Sequence, residues 1–301
     1  MTLNYILWNA DPIIFKAGPM RVGWYGLLLA AGFFLAYLVF QKIAKNEKID
    51  LNLIDKFSFL TVIWTVVGLR LAHCLFYDWA YFKHHILEIF IPFEQTANGW
   101  EFSGFSGLAS HGAVIAIILF VLYFAKKHSK SISGMFDNLL WLLDRLAIAI
   151  PVAAAFVRCG NLMNSEIIGT ATTLPWGFVF MRLGETEPRH PSQIYEAMVY
   201  LSLFAYQMWY YFKYAKGSIP AGRSVGTLLV VIFTARFFIE FIKENQVAFE
   251  KNMVLDMGQW LSIPFILLGS AFLYYSFAKK RYPHIANFQN KKQENEKAVK
   301  K

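Results

Sequence analysis

Arg158, Asn161, Asn164 and Glu166 fall within nine positions in the stretch "FVRCGNLMNSEIIG", directly after the apolar run "LLWLLDRLAIAIPVAAA". A guanidinium offers a planar fork of donors that matches phosphate in a bidentate fashion. Amides and a carboxylate beside it can fix hydroxyl groups. Other apolar runs carry Tyr25, the pair Arg70 and His73, His111, His190, and the pair Arg236 and Glu240. Residues three or four apart share a helical face, so each pair is presented together.

The elements that must position these groups follow from composition. Of 301 residues, 56% are hydrophobic and only 16% charged, and the mean hydropathy is +0.39. A soluble domain is more polar than this, so the chain reads as an all-α integral membrane protein. Crossing about 30 Å of hydrocarbon takes roughly 20 helical residues. Seven runs qualify: Trp24–Phe40, Phe57–Tyr77, Gly107–Phe124, Leu139–Val157, Ile194–Tyr211, Val225–Phe241 and Trp260–Phe277. One set of alternate connections holds 18 Lys and Arg residues and the other holds 8. Basic residues concentrate on the cytoplasmic side, which predicts an outer N-terminus and a cytoplasmic C-terminus. Residues 1–282 read as one polytopic membrane domain, and the Lys-rich segment 283–301 as a disordered cytoplasmic tail. The start of the chain lacks the pattern of a cleavable signal peptide, so the first span is expected to act as its own signal.

This orientation gives each polar residue a depth. Tyr25, Arg70 with His73, His111, Arg158, His190 and Arg236 with Glu240 all fall toward the outer side, on six of the seven spans. Charges inside a membrane are costly and mark bundle interiors or cavities. An alternative is that they satisfy themselves locally: Arg236 with Glu240, Arg70 through carbonyls, Asp144 with Arg145. The local reading is preferred for Asp144 and Arg145. For the outer group an excess of positive charge argues instead for an anion, a phosphate-bearing ligand held in the outer half of the bundle. Positive surroundings favour a neutral histidine, and a neutral imidazole can act as a general base.

Several classes of function fall away. The net charge of +9 is explained by basic residues facing anionic lipid headgroups, so membrane lipids are the expected partners and nucleic acid is not. Cys74 and Cys159 are too few for a disulfide framework and read as small buried side chains. No Cys/His spacing suggests a metal site. A transporter of an organic phosphate also needs intramembrane arginines. It would be expected to show inverted repeats and helices broken near the midplane, whereas these charges crowd one side.

The run "RCGNLMNSEIIG" resembles the signature of the prolipoprotein diacylglyceryl transferase family, in which an Arg, a Gly-Asn pair, an Asn-x-Glu and a Gly follow in order. Here they are Arg158, Gly160 with Asn161, Asn164 with Glu166, and Gly169. "DPIIFKAGPMRVGWYGLLL", "SGLASHGA", "HPSQIYEA", "ARFFIEF" and "MGQWLSIP" resemble further family segments, so the likeness covers most of the chain. The resemblance implies transfer of the diacylglyceryl group of phosphatidylglycerol to the lipobox cysteine thiol of a prolipoprotein signal peptide, with release of glycerol phosphate. It implies a multi-pass protein of the bacterial cytoplasmic (inner) membrane, with its site toward the outer leaflet and no metal or organic cofactor.

The resemblance also implies roles. Arg158 and Arg236 would hold the phosphate and stabilise the charge that develops there. His111 would take the thiol proton, with Glu240 or a phosphate oxygen as the alternative base. Tyr25, Asn161, Asn164, Glu166, Gly169, His190 and Glu240 would bind and orient the substrate, and the segment from His190 to Glu196 would shape the rim. Three places depart from the family pattern: Ile232 stands where a Tyr is usual, Ala113 replaces a second Gly after the histidine, and the turn after span six reads Lys243, Glu244, Asn245 and Gln246.

Overall fold

Each of the seven apolar runs is helical over its described residues in the computed structural model, which describes residues 5–17, 20–91, 93–96, 99–102, 110–129, 131–244 and 254–278. The helices of the runs are α1 (Trp24–Asn46), α2 (Leu51–Ala72), α5 (Ser110–Lys127), α6 (Ile132–Met163), α7 (Ser192–Trp209), α8 (Arg223–Glu240) and α9 (Met257–Ala278). Short helices α3 (Trp79–Phe82) and α4 (Leu87–Phe90) follow α2. Among the described residues, four segments are long and apolar enough to cross a membrane: Trp24–Asn46, Leu51–Tyr77, Ser133–Met163 and Met257–Ala278. The chain is therefore a mostly helical, multi-pass membrane protein. Large apolar side chains such as Phe33, Phe34, Phe59 and Leu267 are exposed on these helices, as hydrocarbon solvent favours.

The expectation of an all-α fold is corrected by short strands in the connections. β1 (Ile6–Trp8) pairs in parallel with β6 (Phe178–Phe180), β2 (Ile13–Ala17) forms a hairpin with β3 (Met20–Gly23), and β4 (Phe93–Thr96) forms one with β5 (Gly99–Phe102). The physical reason is local. Backbone N–H and C=O groups that leave a helix still need partners, and short ladders supply them without an alternating pattern long enough to read in advance.

Two units divide the chain, one comprising residues 1–47 and 143–284 and the other 48–142 and 285–301. In the second, α2 and α5 meet backbone to backbone. A Cβ on Gly112 would stand 2.1 Å from the Gly68 carbonyl oxygen, and one on Gly68 would stand 2.4 Å from the Gly112 oxygen. Small residues permit this approach where helices pack without a hydrophobic drive. Arg70, expected in the outer polar group, is instead buried in this unit. It donates to the carbonyls of Glu88 (2.6 Å) and Ile89 (3.4 Å) and lies over the Phe82 ring. His73 is stacked with Tyr77 and meets the same Phe82 edge-on. Carbonyl capping accounts for these contacts of Arg70, because the chain after α2 turns back to lay its backbone on the guanidinium.

In the first unit, Asp144 and Arg145 reach beyond one another. Asp144 accepts from the backbone N–H of Gly222 (2.7 Å) and Val225 (2.9 Å), capping α8. Arg145 pairs with Glu47 at 2.8 Å, which also accepts from the Tyr211 hydroxyl at 2.6 Å. Cys74 and Cys159 are free thiols, the first buried and the second half-buried. The segment 283–301 lies outside the described residues.

Candidate active site

α6 continues to Met163, six residues past the expected end of its span, so Arg158 and Asn161 ride its last turns. Arg158 Nη1 donates to Asn161 Oδ1 (3.3 Å), Asn161 Nδ2 to Glu166 Oε2 (3.1 Å), and Asn164 Nδ2 to Glu166 Oε1 (3.0 Å). The chain folds Glu166 back onto its own helix through two residues at positive φ, Ser165 (56°) and Ile167 (59°). A β-branched residue rarely adopts that conformation, and such strain costs of order 1–3 kcal/mol. Hydrogen bonds from α7 hold it: Gln193 Nε2 donates to the Glu166 carbonyl (2.5 Å) and Ser192 Oγ to that of Ile167 (2.6 Å).

One turn further along α7 is Glu196, whose side chain is 1% exposed. Its carboxylate pairs with the Arg158 guanidinium and, at 3.4 Å, with the Lys243 ammonium. Lys243 in turn reaches Glu240 Oε2 at 3.1 Å. The end of α8 is thereby tied to α7 and α6. Gly258 on α9 makes room for the last carboxylate, since a Cβ there would lie 2.6 Å from the Glu240 carboxyl carbon. Tyr25 packs its ring on Gly160, where a Cβ would meet it at 2.8 Å.

Arg236 differs from its neighbours. It is half-buried, and the Tyr200 hydroxyl, which bonds Arg158, lies within its electrostatic reach. Among the described residues no carboxylate pairs with it, Glu240 included. Ile232, in the place of the usual Tyr, packs with Ala155, Ala197 and Tyr200. The hydroxyl beside Arg158 thus comes from Tyr200.

Gly169 and His190 build the adjoining loops. Gly169 is threaded between His190 and Ile242, with a hypothetical Cβ only 2.5 Å from His190 Cβ and 2.6 Å from the Ile242 oxygen. Gly169 N–H donates to His190 O and Thr170 N–H to Ile242 O, both at 2.9 Å. His190 Nδ1 lies 3.2 Å from the Tyr195 hydroxyl, which accepts from Trp176 Nε1. Burial holds the His190 pKa below the ordinary histidine value. Arg189 is spent on Glu185 and Glu244, each at 2.7 Å.

The structure thus links Arg158, Asn161, Asn164, Glu166 and Glu240, with Tyr25 against the same helix end and Gly169 and His190 framing it. His111 is the second residue of α5, and its side chain lies outside the described residues. The excess of positive charge expected of the site is confined to Arg236: Arg158 pairs with Glu196, and Lys243 with Glu196 and Glu240, pairings that the sequence separation between α6, α7 and α8 hides. Glu196 and Lys243 are the residues that sequence reasoning underrated. The signal for Glu196 was a carboxylate near the start of an otherwise apolar run.

A polytopic helical membrane protein with a buried network of cations and carboxylates at its helix ends is the class defined so far. The family model for prolipoprotein diacylglyceryl transferase matches residues 12–275. The chain is 42% identical to a phosphatidylglycerol--prolipoprotein diacylglyceryl transferase of Bacteroides fragilis, covering 91% of this chain and 96% of that one. It is 41% identical to the Tolumonas auensis enzyme of the same name, over 91% and 99%, and 40% identical to that of Porphyromonas gingivalis, over 89% and 94%. The chain belongs to the prolipoprotein diacylglyceryl transferase family, and its activity is diacylglyceryl transfer to prolipoproteins.

Proposed function

We propose that the network from Arg158 to Glu240, together with Arg236, is the headgroup pocket in which phosphatidylglycerol gives up its diacylglyceryl group to a lipobox cysteine thiol. The observation that carries this reading is the Arg236 guanidinium, half-buried and without a carboxylate partner among the described residues. Arg158 is already neutralised by Glu196. Its part is to fix the pocket wall and lend its remaining donors, while Arg236 meets the phosphate. Asn161, Asn164 and Glu166, which hold one another, and Tyr25 orient the glycerol hydroxyls.

In the transfer, the thiol proton passes to a base, and sulfur forms a bond to the glycerol carbon that carries the phosphate. The carbon–oxygen bond breaks, and its electron pair leaves on the phosphate oxygen of glycerol phosphate. Arg236 stabilises that charge as it grows. His111 is the proposed base, with Glu240 as the alternative.

The proposed topology has seven spans, an outer N-terminus and a cytoplasmic C-terminus in the bacterial inner membrane, with residues 1–282 as the transferase domain and 283–301 as its tail. Two observations support a site toward the outer side: the 18 to 8 division of basic residues, and the gathering of the C-terminal ends of α6 and α8 with the N-terminal ends of α7 and α9 around Glu196 and Glu240. Incubation of the purified protein with phosphatidylglycerol and a lipobox peptide, followed by mass spectrometry for thioether and glycerol phosphate, tests the reading. Arg236→Ala should lower the yield of both products by roughly 10²–10³. Equal turnover by that variant would remove Arg236 from the site, and thiol labelling near Asn98 only from inside would overturn the orientation.

A further inference from the structure

A second lipid-sized cleft lies at the other end of α8. A cavity of about 780 Å³ runs between α7, α8 and α9, and one of about 520 Å³ adjoins it. Tyr206, Arg223 and Phe277 line both. Arg223 opens α8 and Arg236 stands thirteen residues on, so the two positions are roughly 20 Å apart along the helix axis. This cleft is separate from the headgroup pocket.

Its chemistry is graded along its length. Arg223, Thr227 and Val231 recur every fourth residue on one face of α8, facing Met198 and Leu203 of α7 and Leu273 of α9. Apart from Ser202 and the Thr227 hydroxyl, which turns back onto the Arg223 carbonyl, that wall is apolar over roughly 12 Å beyond the arginine. At the Arg223 end the lining becomes aromatic: Tyr206, Tyr210 and Tyr214 stack in succession at 6.0 and 5.3 Å. Trp and Tyr of this kind gather where a membrane meets water.

Arg223 itself is held but not neutralised. Its guanidinium lies over the Tyr210 ring (5.5 Å) and the Phe277 ring (5.1 Å). Its Nε is buried without a hydrogen-bond partner, and among the described residues no carboxylate pairs with it. The rings cover the cation's faces and leave its in-plane donors for an oxyanion. The N-terminus of α8 is not that anion's site, because Asp144 already caps it. The smaller cavity offers no acid to receive an ammonium headgroup. Lys213 and Lys216 lie on the connection that leads to this end of α8.

We propose that this cleft binds an anionic phospholipid of the leaflet on the Arg223 side, its phosphate on Arg223 and one acyl chain along Thr227 and Val231. It is a lipid site distinct from the one where donor is consumed, and it does not rest on the assignment of the headgroup pocket.

The test uses the full chain in vesicles carrying a trace of phosphatidic acid with a photoactivatable acyl chain, or the matching phosphatidylcholine, with peptide mapping of the adducts. Phosphatidic acid should label residues 223–231 and 273–277 about tenfold more than phosphatidylcholine does, the effect of one charge-assisted contact. Arg223→Gln should erase that preference while retaining transferase turnover, which shows the variant is folded. Arg236→Ala should lose turnover and keep the labelling. Thr227→Trp, which fills the groove, should remove labelling by both lipids. Equal labelling by the two lipids, or a preference that survives Arg223→Gln, would overturn the proposal and leave only ordinary bilayer contact.

Discussion

The Glu196 carboxylate is buried between the Arg158 guanidinium and the Lys243 ammonium, so one acid on α7 fixes the position of two cations from α6 and from the end of α8. Removing one partner of a buried ionic group strands the others and typically costs about 3–5 kcal/mol, whereas removing both can be nearly neutral. Glu196→Ala is therefore expected to lower both the thermal midpoint and turnover. Glu196→Gln paired with Lys243→Met should recover much of the midpoint relative to Glu196→Gln alone, because one stranded cation is gone. Thermal unfolding of wild type, Glu196→Gln, Lys243→Met and the double variant in one detergent decides it. Additive losses would mean the contact carries no coupling.

Arg158 and Arg236 should fail differently. Arg158→Ala breaks the contacts with Glu196 and Asn161 and should reduce stability and turnover together. Arg236→Ala removes a group with no carboxylate partner among the described residues and should spare the midpoint while turnover falls by about 2.7–4 kcal/mol of transition-state energy, as for loss of one oxyanion donor. Arg236→Lys should restore little, since a point charge cannot give two parallel hydrogen bonds. Wild-type turnover in Arg236→Lys would rule out a bidentate contact.

The clustering of Arg158, Asn161, Asn164 and Glu166 was legible because these polar residues follow an apolar run and lie close in the chain, and their side chains bond one another. The seven apolar runs were legible because hydrocarbon thickness imposes a length. Lys243 was hidden because one lysine in a connection reads as a topology marker, and its partner Glu196 is 47 positions away. The contacts of Arg70 were hidden for the opposite reason: it donates to the carbonyls of Glu88 and Ile89, and every residue type has a carbonyl. The extension of α6 through Arg158 and Asn161 was missed because polar residues in its last turns look like the end of a span. Here Arg158 reaches Glu196 on α7, and Asn161 bonds Arg158 and Glu166.

Gly169→Ala tests whether the glycine serves close approach. Its Cβ would press on His190 Cβ and the Ile242 carbonyl, forcing apart the loop that the Gly169 and Thr170 N–H groups close. Turnover should fall and protease cleavage between residues 170 and 190 should increase. An alanine variant with normal turnover and normal resistance would show that the loop has slack.

His190 gives the protein a pH dependence of known sign. Its folded pKa is lowered by burial, so below the ordinary value of about 6.5 the unfolded chain binds the proton more readily. The stability from neutral His190 is therefore full above about 6.5 and is lost as pH falls through the lowered value. The thermal midpoint should drop between about pH 7.5 and 5.5, and His190→Asn should shrink the drop. An identical drop in the variant would assign the acid sensitivity to other groups.

The base assignment is tested by pH as well, through rate instead of stability. If His111 accepts the thiol proton, His111→Gln should bind phospholipid normally and lose roughly 10²–10⁴ in turnover, the usual contribution of a positioned base. The variant should then recover as pH rises toward the thiol's own value of about 8.5, because the thiolate forms without assistance. Wild-type enzyme should rise less over that interval, since its base already performs the step. The measurement is turnover against pH for both proteins on one lipobox peptide, with phospholipid binding followed separately. Loss of binding without alkaline recovery would make His111 a headgroup or packing residue, beside the Gly112 contact that joins α5 to α2. Glu240, held by Lys243 at 3.1 Å, would then be the base to test, and its variant should show the recovery that His111→Gln lacked.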